Sequence, residues 1–147
     1  MGALPFCQFE MTTKKPIPKA YPKALLTLGD HIRKKRLDLK LLQTDVANIL
    51  NVDEMTISGW ELNHYQPHPM HIPRIINFLG YIPEDLFSAT TIGQKIRRYR
   101  LLRGVTRKKL ARELHIDEST LLRLEADKGR HLSETLRKLA GFLESLT

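Results

Sequence analysis

The sequence predicts an all-α protein built as two copies of one helical module. Three observations support this. Residues 27–61 lie over residues 91–125 without a gap at an offset of 64, and 12 of the 35 aligned pairs are identical. Unrelated segments of ordinary composition would share about two. Within each copy, apolar residues recur at helical spacing, and no segment sustains the period-two alternation of a strand. Solenoid repeats run at about 20–50 residues, so a period this long marks a duplicated small domain.

Residues 1–24 hold Pro5, Pro16, Pro18 and Pro22 between lysines, with little periodic apolar content. They read as an extended, disordered basic arm that could lie along a phosphate backbone or in a minor groove. The first module is expected over residues 25–80. Its first helix begins after Thr27, with Leu28, Ile32 and Leu37 on one face. A second helix, about 43–50, turns Val46, Ala47 and Leu50 inward. Asp53 stands where a cap would satisfy the open amides of a third helix carrying Ile57 and Trp60 inward. Pro67 and Pro69 exclude helix from the next loop. Pro73 suits the first turn of a fourth helix, which Gly80 ends. Residues 81–89 read as a linker. The second module, residues 90–147, repeats the layout with Gly104 as a stop, Thr106 and Asp117 as caps, and a last helix over about 132–145.

Charge is unevenly distributed. Residues 1–24 carry +3, residues 25–89 carry −2 and residues 90–147 carry +7. A basic surplus favours polyanions through counterion release. Cys7 is the only cysteine, so no internal disulfide forms, in keeping with a reducing cytosol. No apolar stretch is long enough to span a membrane. Phe6 occupies the place where an N-myristoylation motif wants Ser or Thr.

Each copy centres on a short helix, a tight turn and a second helix. In copy one, Val46, Leu50, Ile57 and Trp60 face a core, Ala47 is small where two helices cross closely, and Val52 plugs the turn. Copy two supplies Leu110, Ala111, Leu114, Ile116, Leu121 and Leu124 at the same places. This pattern resembles the Cro/repressor-type, or XRE-like, helix-turn-helix family. The resemblance covers both copies and implies two tandem lambda-repressor-like bundles of four to five short helices each. It also implies a third helix set in the major groove of DNA.

Carried onto this chain, the resemblance implies phosphate contacts from Gln43 in copy one and Arg107 in copy two, where the family's second helix begins. Basic flanks add Arg97, Arg98 and Lys108. Base-edge contacts fall to Glu54, Met55 and Gly59 in copy one, and to Glu118, Ser119 and Arg123 in copy two. Arg123 can fork onto guanine and a glutamate can accept from cytosine N4. Arg36 with Glu61, and Arg100 with Glu125, match the family's structural ion pair between first and third helices. Asn51 and His115 stand where the family commonly has Gly; both residue types tolerate the left-handed turn. Leu42 is a poor cap where Thr106 keeps the pattern. Met55 and Gly59 lack side-chain donors for bases, and Asp53 and Glu54 bring negative charge near phosphates. Copy two is therefore expected to supply most of the phosphate affinity.

His64, His68 and His71 lie close in sequence but lack a cysteine or carboxylate partner, so no metal is expected. No Gly-rich phosphate loop, zincin-type pair or Ser/His/Asp arrangement appears, so no cofactor and no enzymatic activity are expected. The expected function is sequence-specific binding of double-stranded DNA by a bacterial or phage-type transcriptional regulator. It would act in the cytoplasm at the nucleoid, with a homodimer as a further partner and no membrane or small-molecule substrate. Two other readings stand beside it: a protein-interaction module, antitoxin-like or sigma-factor-contacting, and a non-catalytic DNA-targeting accessory of a recombinase or transposase system. RNA is disfavoured because its deep, narrow major groove excludes a helix.

Overall fold

The computed structural model describes residues 21–128 and 133–144. The basic arm up to residue 20, Cys7, and both ends of the last expected helix lie outside the described residues. Within them the chain is all-helical. The first half comprises α1 (Leu28–Asp38), α2 (Gln43–Leu50), α3 (Glu54–Glu61), a 3-10 turn (Pro69–His71), α4 (Ile72–Leu79) and α5 (Glu84–Phe87). The second comprises α6 (Ile92–Leu102), α7 (Arg107–Glu113), α8 (Glu118–Glu125) and α9 (Ser133–Glu144).

Each module starts with a threonine cap. Thr27 accepts from the Asp30 amide at 3.1 Å while Asp30 accepts from the Thr27 amide at 2.9 Å, a reciprocal capping box. Thr91 accepts likewise from the Gln94 amide at 3.1 Å. A polar clasp then ties each first helix to the residue just past the third. In the first module Asn63 donates to Asp30 at 3.2 Å, and in the second Gln94 donates to Asp127 at 3.1 Å. One amide meets one carboxylate in both modules, but the two exchange places. Asn63 and Asp127 both adopt left-handed backbone, at φ 59° and 52°.

The caps of α3 and α8 differ from the sequence expectation. Asp53 and Asp117 stand at the N-cap positions with extended backbone, but neither side chain accepts a capping hydrogen bond. Their carboxylates act there only through their charge at a helix start. At α2 the weak cap Leu42 is compensated from within the helix, because Asp45 accepts from the Leu42 amide at 2.7 Å. Thr106 caps α7 by accepting from the Lys109 amide at 3.3 Å. Asn51 and His115 take φ 55° and 52° in the turns between second and third helices.

Ile32, Val46, Leu50, Ile57, Trp60, Ile75 and Leu79 form the first core. Ile96, Leu110, Leu121, Leu124 and Leu139 form the second. The first and third helices of each module cross in near contact. A Cβ built on Gly29 would lie 1.8 Å from the Trp60 carbonyl oxygen, and one on Gly93 would lie 1.9 Å from that of Leu124. No side chain fits there, which accounts for glycine at both places.

Within residues 81–89, expected as a linker, Pro83 is buried and Phe87 fills the first core. The second module then packs on the first through α6. Leu101 and Leu102 lie against the first core, and Arg98 forks onto Glu84 at 3.1 and 3.2 Å while reaching the Phe87 carbonyl. Gly104, at φ 66°, meets Pro73 so closely that a Cβ would lie 3.0 Å from Pro73 Cγ. Two bundles of about 60 residues are each marginal alone, and this seam adds apolar burial to both.

His31 is buried, its Nδ1 2.8 Å from the Tyr81 hydroxyl. Burial pushes its pKa below the usual 6.5, with Asp30, Asp85 and the Leu25 backbone opposing and Lys34 assisting. Burial, together with His68 and Arg74, lowers His71 as well. A depressed histidine pKa means that the unfolded chain takes up protons first as pH falls below 6.5. Stability is therefore full above that value and declines as pH drops toward the folded pKa. In urea denaturation between about pH 7 and 5, His31→Phe is expected to show a flatter decline than the parent chain. In the same assay Gly29→Ala is expected to cost about 2–3 kcal/mol, as overpacking against a backbone carbonyl does.

Candidate nucleic-acid interface

One guanidinium organises the putting-together of each helix-turn-helix. In copy one, Arg36 of α1 donates Nε to Glu61 Oε1 at 2.6 Å and Nη2 to Oε2 at 2.7 Å, a bidentate fork. Its Nη1 reaches the Leu41 carbonyl at 3.2 Å, so the same group also holds the chain entering α2. Hydrogen bonding to Glu61 raises the Arg36 pKa above its usual value, against the effect of burial. In copy two, Arg100 makes the matching bonds to Glu125 at 2.6 and 2.8 Å and to the Val105 carbonyl at 3.3 Å. Arg100 and Glu125 are both about 95% or more buried. Three elements are thereby fixed around one charge pair in each module.

The first residue of the second helix joins the same carboxylate. Gln43 donates to Glu61 Oε2 at 3.0 Å, and Arg107 donates Nε to Glu125 Oε2 at 3.1 Å. The two modules differ in what remains. Gln43 has its amide group engaged, whereas Arg107 keeps two terminal NH2 groups beyond the bond to Glu125. Lys108 follows, exposed, with Lys109 and Arg112 exposed along the same helix.

Of the remaining residues expected at phosphates, Arg97 is exposed on α6, and Arg98 is drawn into the seam by Glu84. Of those expected at bases, Glu118, Ser119 and Arg123 are all exposed on α8, and Glu54 and Met55 are exposed on α3. Gly59 departs from the expectation: it is buried. The ring of Tyr65 lies over it, at 2.4 Å from where a Cβ would stand, and donates its hydroxyl to the Met55 carbonyl at 3.4 Å. Tyr65 itself is half exposed, and from the loop after α3 its ring covers Gly59, the position that aligns with Arg123 on α8. The face of copy one is therefore Met55 and Tyr65 flanked by Glu54, and that of copy two is Ser119 and Arg123 flanked by Glu118. Tyr65 was not foreseen because it lies beyond the aligned repeat, and only the lack of a side chain at Gly59 hints at it.

A short helix, a left-handed turn and an exposed second helix, locked to a preceding helix by a buried ion pair, define the class of DNA-binding helix-turn-helix proteins. The chain belongs to the helix-turn-helix family: the family model of that description matches residues 32–87 and again residues 96–146. No curated protein and no solved structure gives a match. The family is Cro/repressor-like, and its fold is that of DNA-binding regulators. Among the described residues no helix is long and apolar enough to cross a membrane.

Removing one partner from a buried pair leaves an uncompensated charge. Glu125→Ala strands Arg100 and frees Arg107, and is expected to lower unfolding stability by about 3–5 kcal/mol. Arg107→Gln, which installs the copy-one residue and retains a donor for Glu125, is expected to cost under about 1 kcal/mol in the same denaturation assay.

Proposed function

We propose that the chain binds double-stranded DNA sequence-specifically as a bacterial or phage-type transcriptional regulator, with the second module carrying the stronger grip. The observation that supports this most is the contrast at one equivalent position. Arg107 leaves its terminal NH2 groups for a phosphate, beside Lys108 and next to a helix exposing Ser119 and Arg123. Gln43 has no charge to offer, and α3 exposes Met55 and an acidic first turn, with Tyr65 of the following loop laid over Gly59. Phosphate contacts from the α7 cations would set register, and Arg123, with Glu118 and Ser119, would read base edges. Tyr65 and Met55 suit apolar contact with thymine methyl groups more than hydrogen-bond readout. No catalytic step is part of this reading, and it places the protein in the cytoplasm at the nucleoid.

A protein-docking role for copy one is the second reading, favoured by the exposure of Met55 at 78% and Leu62 at 54%. A homodimer, or another partner protein, would then cover that face. Selection of bound sites from random duplex DNA separates the readings. Two enriched half-sites about one helical turn apart are expected if both modules dock. A single enriched half-site, unaffected by Met55→Ala, would favour docking of protein on copy one.

The asymmetry has its own check. On the selected duplex at moderate salt, Arg107→Gln and Lys108→Ala are each expected to weaken binding about 5- to 20-fold and to reduce the salt slope by about one. Gln43→Ala is expected to weaken it less than about threefold, with the slope unchanged. Equal losses in fluorescence-anisotropy titrations would contradict the assignment.

A further inference from the structure

The seam between the modules opens on an open cleft of about 420 Å³. Its walls come from both copies: His68 and Pro69 from the 3-10 turn of the first, and Arg97, Arg107, Lys108 and Glu118 from the second. The two sides are held in register by Arg98 on Glu84 and by Gly104 against Pro73, so the cleft is part of the packed molecule.

Its charges are not all committed. Arg100, at the cleft floor, and Arg107 both bond Glu125, and Arg107 does so through Nε alone. Arg97 and Lys108 are exposed and make no ion pair among the described residues. Glu118 is the opposing carboxylate. Across the cleft, His68 Nδ1 accepts from the Met70 amide at 3.4 Å. With Nδ1 accepting, the ring proton sits on Nε2, which is the ring's remaining donor. A ring donor from one module thus lines the same cleft as cations from the other.

We propose that this cleft is a phosphate site shared by the two modules, in which His68 completes a grip begun by Arg97 and Lys108. The occupant is a backbone phosphate of the duplex. The proposal rests on the DNA-binding reading above and adds to it a place where one phosphate is held by both copies. Its consequence is that the modules meet DNA as one rigid unit, because a residue of the weaker module serves the contact surface of the stronger one. The composite site also gives the first module a phosphate contact that its acidic α3 does not supply.

The test is a double-mutant cycle on the full chain, using a duplex selected from the random library. His68→Ala is expected to weaken binding about 3- to 10-fold and Arg97→Ala about 5- to 20-fold, the latter with a salt slope reduced by about one. Because both groups hold the same phosphate, the double variant is expected to lose less than the product of the two single losses. His68→Gln, which keeps a side-chain donor, is expected to recover part of the loss. Unchanged affinity in His68→Ala, or losses that multiply independently, would overturn the shared site while leaving duplex binding intact. Failure of the parent chain to bind any duplex would overturn the DNA reading and this proposal with it. A parallel titration with inorganic phosphate, followed by the His68 ring signals in NMR, separates the two sources of phosphate. Displacement of bound phosphate by duplex is the expected outcome, and phosphate retained alongside bound duplex would assign the cleft to a free ligand instead.

Discussion

The crossing of the first and third helices in each module is the constraint on which the rest depends. Glycine at 29 and 93 lets the helices approach until a backbone carbonyl fills the space of a missing side chain. At that separation the Arg36–Glu61 and Arg100–Glu125 forks can close. Neither pair is an obvious source of net stability, since desolvating two charges offsets much of their attraction. What the fork supplies is geometry. A guanidinium has five donors in a fixed plane, and here it orders two helices and the intervening turn at once.

That shared scaffold leaves the two surfaces free to differ. The carboxylate at the centre of each module accepts one further donor from the start of the second helix, and the choice of Gln43 or Arg107 decides whether charge projects beyond it. The third helices diverge in the same direction. Copy two leaves α8 open and polar, whereas copy one folds Tyr65 back onto Gly59 and shows an aromatic and a thioether. A duplicated domain under one structural rule has thus acquired two unlike faces, and the seam through α6 fixes their relation.

Much of this was legible in the sequence, for reasons that are physical. The helices and the arginine–glutamate pairings each leave the same trace in both copies, because each geometry must be satisfied twice, and the left-handed turns show through Asn51 and His115, two different residue types that both tolerate them. The clasp between Asp30 and Asn63 left none. Its counterpart, Gln94 with Asp127, satisfies the same bond with the amide and carboxylate exchanged, so identity at either position is absent. The capping role expected for Asp53 and Asp117 failed at the level of side-chain geometry, which residue type does not determine. Phe87 was hidden because its proline-bearing segment is too short to show helical periodicity. Contacts between copies, such as Gly104 with Pro73 and the cleft shared by His68 and Arg97, have no counterpart in a repeat. Nothing in a comparison of the copies could have revealed them.

The most direct measurement of the central claim is amide hydrogen exchange of the full chain with and without a selected duplex. Binding is expected to slow exchange chiefly in α7 and α8, with a second protected segment at the 3-10 turn Pro69–His71 and weaker protection in α3. Protection confined to α2 and α3, with α7 and α8 exchanging as in the free protein, would contradict the account.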